Sequence, residues 1–385
     1  MNKNKTTRKP GSGMEKESAK VLDSRALNRA TLARQMLLKR EKLPVLDVVE
    51  KLIGLQAQSQ NAPYFALWSR MEDFQQDQLS ELIRDRKVVR MALMRATLHL
   101  VSSPDALQLR PWLQSVMERS LKGGYGRQLK DVDLGQLAVN GRKLVEDKPM
   151  TFSELGGHLL EHWPDLPSKA ATAAIRNLVP LVQIPPRGIW GEGGQAAHTT
   201  LETWLHQSLC PKPDAETLIR RYLAAFGPAT VKDIQIWSGL TGLNQTMEKL
   251  RPELITFRDV HGAELFDLPD APRPDGSTPA EPRFLGDFDN ILLSHADRSR
   301  ILDDKYRSSV FTINGIIRST ILIDGYVAGT WKLIQERKKT VLSIEPFITL
   351  SQKETGALLM EGARLLHFAA PEDHSQEVII QPSCE

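Results

Sequence analysis

Residues 88–101 read Val-Val-Arg-Met-Ala-Leu-Met-Arg-Ala-Thr-Leu-His-Leu-Val, and this stretch decides the predicted fold class. The β-forming runs at 88–93 and 98–101 predict two strands, and residues 94–97 predict the turn that joins them. Apolar residues recur at helical spacing over 24–39 and in the segments that follow, so helices precede the hairpin. Helices followed by a β-hairpin are the layout of a winged helix, a helix-turn-helix variant.

The same order of elements recurs twice further along the chain. One helical pair precedes residues 181–184, which we predict to pair with 189–191. Another precedes residues 254–257, which we predict to pair with 263–266. This recurrence predicts three tandem winged-helix units. Their expected bounds are residues 21–148, 149–212 and 213–268.

The composition changes after the third unit. Residues 269–282 are rich in proline and in small or acidic residues, which predicts a linker. Residues 283–370 are rich in β-forming residues and predict a small β-barrel, closed by a helix that Ser351 caps. The predicted fold class is therefore α+β, with three winged-helix units followed by a barrel. We expect residues 1–20 to be a disordered basic arm and residues 371–385 to be a flexible tail.

A cluster of amide side chains follows the second predicted helix, at Gln56, Gln58, Gln60 and Asn61. Amides do not titrate near neutral pH, but they donate and accept hydrogen bonds at once. Such a cluster can therefore hold a water, a base edge or a phosphate. Composition alone favours a simpler interpretation, in which these amides cap helix ends and face the solvent.

Charge and cysteine content restrict the function classes. The formal net charge is only +3, so any nucleic-acid site must be a local patch. The two cysteines, Cys210 and Cys384, make neither a disulfide framework nor a zinc site, and they suit a reducing cytoplasm. No apolar run reaches the roughly 18 residues that a membrane helix needs, and no apolar core of a signal peptide is present. We therefore expect a cytoplasmic protein without a membrane partner.

The sequence lacks the short motifs of most cofactor and metal enzymes. It contains no GxxxxGK[ST], no GxGxxG after a strand, no HExxH and no CxxC. We therefore expect neither a cofactor nor a metal. A Ser-His-Asp arrangement stays open, but no nucleophile elbow marks one.

Basic residues near the predicted hairpins are candidate phosphate contacts. Arg90 and Arg95 lie on the first hairpin, directly after a basic segment, and a solvated charged face is an equally good interpretation of them. Arg187 occupies the predicted tip of the second hairpin. Arg298 is either a DNA contact or part of a hydrogen-bonded structural cluster with its neighbours, and we favour the cluster.

Several stretches resemble the winged-helix DNA glycosylase family typified by AlkZ. The similar stretches are Gly54-Leu55-Gln56-Ala57-Gln58, Asn61-Ala62-Pro63, Leu67-Trp68-Ser69-Arg70, 94–101, 288–299 and 324–331. The resemblance covers nearly the whole chain after residue 20. It implies tandem winged helices, a C-terminal barrel and a catalytic Gln-apolar-Gln motif, which falls on Gln56 and Gln58 with Ala57 between them.

The resemblance implies a glycosylase that removes alkylated or crosslinked bases from DNA, and we expect N3- or N7-alkylated purines and interstrand crosslinks as its substrates. No nucleophilic lysine is apparent near the motif, so we expect a monofunctional enzyme without lyase activity. An alkylated purine is cationic and already a good leaving group, so two amides that orient a water are sufficient help. The expected partner is double-stranded DNA with alkylated or crosslinked bases. The expected protein is a monomer in the bacterial cytoplasm, associated with the nucleoid. Gln60, Asn61 and the four arginines named above are the expected DNA contacts.

A second function class stays open, namely a DNA-binding protein without catalysis, such as a transcriptional regulator. Regulators of this kind usually dimerise and read palindromes. Three different winged units in one chain do not require a dimer. Palindrome-specific binding without base release would favour the regulator.

Overall fold

A computed structural model describes residues 20–336, 339–370 and 375–382, and helices and strands alternate through them. The helices are α1 Ser24–Arg34, α2 Val45–Lys51, α3 Ala62–Arg70, α4 Gln76–Arg84, α5 Ser103–Trp112, α6 Gln114–Tyr125, α7 Leu134–Asp147, α8 Phe152–His162, α9 Ser168–Leu178, α10 Leu201–Leu205, α11 Ala215–Phe226, α12 Val231–Ser238, α13 Asn244–Leu250, α14 Arg307–Val310 and α15 Gln352–Ala369. The strands are β1 Val21–Leu22, β2 Leu55–Gln56, β3 Val88–Ala92, β4 Leu98–Ser102, β5 Met150–Thr151, β6 Leu181–Gln183, β7 Ala197–Thr200, β8 Ile255–Asp259, β9 Glu264–Asp267, β10 Arg283–Leu285, β11 Thr320–Ile323, β12 Tyr326–Glu336, β13 Lys339–Pro346 and β14 Ser375–Ile380. The fold is a mixed α and β fold, as predicted. The expected arm falls almost entirely outside the described residues.

A six-stranded sheet joins the first two predicted units. Its strand order is β2-β4-β3-β6-β7-β5. The first predicted hairpin is confirmed, because β3 and β4 pair antiparallel with Val88 opposite Ser102. On its other edge, β3 pairs with β6 of the second predicted unit, with Arg90 opposite Gln183. The backbone groups on that edge are thereby satisfied, and the two units share one sheet.

The second hairpin departs from the prediction. β6 pairs with β7, with Val182 opposite Thr199, so the predicted return strand at 189–191 is wrong. Residues in the loop between β6 and β7 bind the first unit instead. The Gly188 carbonyl accepts a hydrogen bond of 2.8 Å from the Tyr64 hydroxyl, which holds this loop against α3.

The third predicted hairpin is confirmed, because β8 and β9 pair antiparallel with Phe257 opposite Leu265. β1 adds to this pair in parallel and completes a separate three-stranded sheet. Whether the three units are winged helices stays a prediction.

The predicted barrel is wrong. Within the described residues, the C-terminal region forms an open five-stranded sheet in the order β10-β11-β12-β13-β14. The β-forming residues at 291–293 and 309–312 predict two strands, but both segments overlap helices: Asn290–Leu292 is a 3-10 helix, and Arg307–Val310 is α14. The Asp289 side chain caps the first of these by accepting from the Ile291 N–H, so that segment cannot contribute to closing a barrel.

The last helix is as predicted, whereas the segment that follows it is not. The closing helix is confirmed as α15, and Ser351 and Glu354 form the expected capping box. The expected flexible tail is wrong for Ser375–Ile380, which pairs in parallel with β13 as β14. Val378 of this strand lies directly under Gly362 of α15, where an added Cβ would be 3.1 Å from Val378 Cγ1.

One apolar core connects the first unit to the C-terminal sheet. Phe65 of α3 meets Trp331 of β12 with ring centroids 5.5 Å apart, and it meets Phe368 of α15 at 6.0 Å. Edge-to-face contacts of this kind add to the burial of apolar area. The core therefore fixes the position of the amide segment against the C-terminal sheet. No described helix is long and apolar enough to cross a membrane.

Candidate active site

The amide segment lies at the edge of the six-stranded sheet. β2 pairs with β4 so that Gln56 is opposite His99. Gly54 turns the chain into this strand with a φ of +89°, and a Cβ there would be 2.3 Å from Val101 Cγ1. Only glycine accepts both the left-handed backbone and this close approach. The turn sets Gln56 against the first hairpin.

A C-terminal loop clamps this strand from the other side. The Asn290 Nδ2 donates to the Gly54 carbonyl at 2.7 Å, and its Oδ1 accepts from the Gln56 N–H at 3.2 Å. The loop is fixed in turn by Arg70, whose guanidinium donates to both carboxylate oxygens of Asp289 at 2.7 and 2.8 Å. A buried two-pronged ion pair of this kind fixes orientation as well as distance.

A directed chain of hydrogen bonds ends at the two glutamines. Arg95 Nη2 donates to Gln56 Oε1 at 2.7 Å, and Gln56 Nε2 donates to Gln58 Oε1 at 2.5 Å. A guanidinium only donates, so its contact with Gln56 fixes the direction of both amides. Arg95 itself is held by the Trp237 carbonyl, and both Arg95 and Ala96 have left-handed φ angles, of 56° and 57°. Gln56 is 5% exposed, whereas Gln58 is exposed.

His99 supports this chain as a neutral group. Its side chain is 2% exposed, and burial, helped by the charge of Arg95, lowers its pKa to about 3. Its Nδ1 donates to the Thr97 carbonyl at 2.9 Å, which leaves Nε2 as an acceptor 3.5 Å from Arg95 Nη2. We infer that His99 helps to orient Arg95 and does not transfer protons near neutral pH.

Arg90, an expected phosphate contact, is buried in this structure, and its contact with DNA stays a prediction. Its side chain is 2% exposed, beneath Gly188, where an added Cβ would be 2.7 Å from Arg90 Cδ. Its Nη2 donates to the Ala57 carbonyl at 2.6 Å, between the two glutamines of the motif. Burial, followed by the charge of Arg187, lowers the pKa of Arg90 to about 10. A phosphate cannot reach this group without displacing the loop, so its contact with Ala57 is the role that the structure supports.

Gln60 and Asn61 are placed apart from the two glutamines. Gln60 Nε2 donates to the carbonyls of Ile189 and Glu192 at 2.9 and 2.5 Å, so it holds the loop between β6 and β7. Asn61 precedes α3 without a side-chain capping bond. Their roles as DNA contacts stay predictions.

Arg187 and Arg298 are both partly exposed. Arg187 makes one long contact, from Nη1 to the Gly194 carbonyl at 3.4 Å. Arg298 donates from Nε to the Leu292 carbonyl at 2.8 Å and lies 4.9 Å from the centre of the Phe311 ring. These contacts show a structural task for Arg298, and its DNA contact, like that of Arg187, stays a prediction.

Two cavities flank the amide segment. A groove of about 1070 Å³ lies beside Ser59 and Asn61, and a pocket of about 280 Å³ lies beside Gln58. The groove contains Asp287, whose Oδ1 accepts from the Ser59 hydroxyl at 3.1 Å. Burial raises the pKa of Asp287, and the bond from Ser59 opposes that rise. The described residues contain no group of three or more histidine, cysteine, aspartate or glutamate side chains able to hold a metal.

Sequence reasoning missed the residues that surround the motif. Asn290 lies in the stretch 288–299 that carried the family resemblance, but nothing in the sequence linked it to Gln56. Nothing in the sequence indicated that Asp287 lies near the motif, because only the folded chain brings it to Ser59.

The chain belongs to the AlkZ-like DNA glycosylase family, whose model matches residues 49–368. This result confirms the resemblance seen in the sequence and establishes a DNA glycosylase as the class of protein. Among curated proteins, the chain is similar to the interstrand DNA cross-link repair glycosylase of Streptomyces sahachiroi. The two are 25% identical over 356 residues, which cover 87% of this chain and 93% of the relative.

The solved structure of the Streptomyces sahachiroi DNA glycosylase AlkZ matches the fold with a TM-score of 0.77. The match covers 94% of this chain and all of that structure, at 21% sequence identity. At this identity the structural likeness shows the fold alone.

Proposed function

We propose that the protein hydrolyses the N-glycosidic bond of N3- or N7-alkylated purines in double-stranded DNA and unhooks interstrand crosslinks. The main support for this proposal is the chain of hydrogen bonds from Arg95 through Gln56 to Gln58. This chain fixes the orientation of the Gln58 amide, which is exposed to solvent. The family membership and the crosslink-repair name of the relative support the substrate class.

In this mechanism Gln58 positions the attacking water. Its Oε1 already accepts from Gln56, and its remaining lone pair and its Nε2 are available to the water. The cationic purine leaves as a neutral base without protonation, and the carbonyl dipole of Gln58 faces the positive charge that develops on the sugar. The water oxygen then bonds to C1′ of the sugar, and its proton passes to the solvent. An amide does not become a strong base, so neutral undamaged bases react slowly.

The carboxyl of Asp287 lies in the groove beside this segment, and we propose that it supplies negative charge that the amides lack. Its neighbour Ser59 follows Gln58 directly, which brings the carboxyl to the edge of the reacting region. We propose that it steadies the cationic sugar through space and does not form a bond with it.

We propose that the enzyme is monofunctional and acts as a monomer. Among the residues that line the groove, Lys332 is engaged by Glu345 at 3.0 Å, so its amine is not poised to attack the sugar. Borohydride trapping of a protein–DNA adduct would contradict this statement. A dimer in sedimentation at assay concentration would contradict the monomer.

The direct test is release of 7-methylguanine from DNA under single-turnover conditions. We expect Gln58→Ala to lose about 100-fold in rate, since a misplaced nucleophile costs about that much. We expect Gln56→Ala to lose less, because it removes the support of Gln58 and leaves its amide. Wild-type rates in both variants would reject the catalytic assignment. Palindrome-specific binding without base release would favour the regulator.

A further inference from the structure

The pocket beside Gln58 lies on the sheet that the first two predicted units share. Residues of β3, β4, β6 and β7 form its floor, and α8 and α9 supply its side. It exists only because β3 pairs with β6 across the two units. Its lining residues are Gln58, Met91, Ala92, Leu98, Phe152, Arg176, Leu181, Gln183 and His198.

Two hydrogen-bond acceptors in this pocket lack partners. Gln183 Oε1 and His198 Nδ1 are buried and have no hydrogen-bond partner among the described residues. The two residues face each other across β6 and β7, so their side chains are neighbours on one face of the sheet. The His198 side chain is 4% exposed, and burial lowers its pKa to about 4, so it is neutral at physiological pH. Buried acceptors without partners are rare and are expected to meet a ligand or water.

The rest of the lining suits a flat aromatic ligand. Phe152 stacks on His198 with ring centroids 4.1 Å apart and planes inclined by 22°, which makes an aromatic wall. Ala92, Leu98 and Leu181 lie on the same face of the sheet as Gln183 and give the cavity an apolar lining. Its volume of about 280 Å³ is near the lower end of the roughly 300–1,000 Å³ of small-molecule sites. One ring system fits there, whereas a duplex does not.

We propose that this pocket binds the alkylated guanine base, turned out of the duplex, while Gln58 holds the water at its mouth. Gln183 Oε1 accepts from the exocyclic amino group, and His198 Nδ1 accepts from the neighbouring N1–H. Since a bond to His198 Nδ1 lies in the plane of the imidazole, the base lies edge to edge with His198 and stacks on Phe152. This inference rests on the proposed function and extends it, because it assigns the base a specific binding site.

The test compares two bases that differ by one donor. Each is placed in the same DNA duplex, as 7-methylguanine or as 7-methylhypoxanthine, which lacks the exocyclic amino group. We expect the wild-type protein to release 7-methylguanine about tenfold faster in single turnover. We expect Gln183→Leu to slow 7-methylguanine release by about tenfold and to leave 7-methylhypoxanthine release unchanged.

The matched control is Thr199→Val. Thr199 follows His198 on β7, points to the opposite face, and also has a buried hydroxyl without a partner among the described residues. We expect this variant to keep the wild-type preference. If Gln183→Leu slows both substrates equally, Gln183 has only a structural role, and the proposal is overturned. No preference in the wild-type protein overturns it as well.

A binding experiment separates this proposal from the proposed function. Calorimetric titration of the full-length protein with free 7-methylguanine needs no catalysis. We expect saturable binding that Gln183→Leu weakens by about tenfold and Thr199→Val does not change. Binding without any release from DNA would overturn the proposed function and support the pocket. Release from DNA without the preference for 7-methylguanine, or without this binding, would overturn the pocket and support the function.

Discussion

The two hairpins of the shared sheet lie side by side, yet the arginine near the turn is packed inward in one and partly exposed in the other. In the first, a short turn points Arg95 inward, where it donates to Gln56 and to the Trp237 carbonyl. In the second, a long loop leaves Arg187 partly exposed with one contact of 3.4 Å. The position of an arginine near a hairpin turn therefore does not decide whether its side chain is packed inward or left exposed. The packing of the turn decides it.

A glycine on a third element explains the difference. Gly239, at the end of α12, lies against the first turn, where an added Cβ would be 3.3 Å from Arg95 Cα and 2.8 Å from Val116 Cγ1. The third predicted unit thus closes over the first hairpin. In the second hairpin Arg187 is partly exposed, and the loop beside it bends back over Arg90.

The largest expected effect concerns Arg95. We expect Arg95→Met to slow single-turnover base release by about tenfold, as we expect of Gln56→Ala, because Gln56 and then Gln58 lose their fixed orientation while the Gln58 amide stays. DNA binding should change by less than about threefold, since the guanidinium points inward. Rates at saturating protein and binding isotherms on uncleaved DNA measure the two quantities separately.

The control for this experiment is Arg119→Met. Arg119 also reaches the end of α12, by donating to the Gly239 carbonyl, but it does not contact the glutamines. We expect its rate to stay within about threefold of wild type. If both variants lose activity equally, closure by the third unit is responsible, and the orientation of Gln56 is not.

A smaller expected effect is on the pH dependence of stability, to which the buried histidines of the two hairpins contribute differently. An unfolded histidine titrates near 6.5, whereas His99 and His198 have pKa values of about 3 and about 4 in the folded protein. Between these values the unfolded chain binds more protons than the folded one, so stability falls as pH falls. Each histidine contributes a slope of about 1.4 kcal/mol per pH unit in that window. Urea unfolding between pH 6 and 4 measures this slope.

We expect His99→Asn to reduce the slope by about 1.4 kcal/mol per pH unit over that range. His198→Asn should reduce it by the same amount near pH 6 and by less near pH 4, where the folded His198 begins to take up its proton. Equal slopes in wild type and His99→Asn would mean that His99 is protonated in the folded protein.

Local signals predicted those parts of the molecule that depend on neighbouring residues. The β-forming runs within 88–101 predicted β3 and β4, and the capping pair Ser351 and Glu354 predicted α15. The glutamine motif was also visible as a motif. The family model supports the resemblance that singled it out, whereas its catalytic role stays a proposal.

Contacts between segments that are far apart in the chain could not be predicted from the sequence. The loop after β6 bonds to Tyr64, so its β-forming residues do not form the return strand. β14 forms because β13 offers an open edge to a distant segment, which composition cannot reveal. The inward turn of Arg95 likewise depends on Gly239, far along the chain.

The smallest expected effect tests the outward arginine. If Arg187 binds a phosphate, Arg187→Ala should lower the slope of log affinity against log salt by about 1 and weaken binding a few-fold. Arg90→Met is the matched control, because Arg90 is buried and should leave the salt slope unchanged. A salt series with an undamaged duplex measures both. An unchanged slope for Arg187→Ala together with a lower one for Arg90→Met would reverse the comparison, since it would mean that the loop opens and exposes Arg90 when DNA binds.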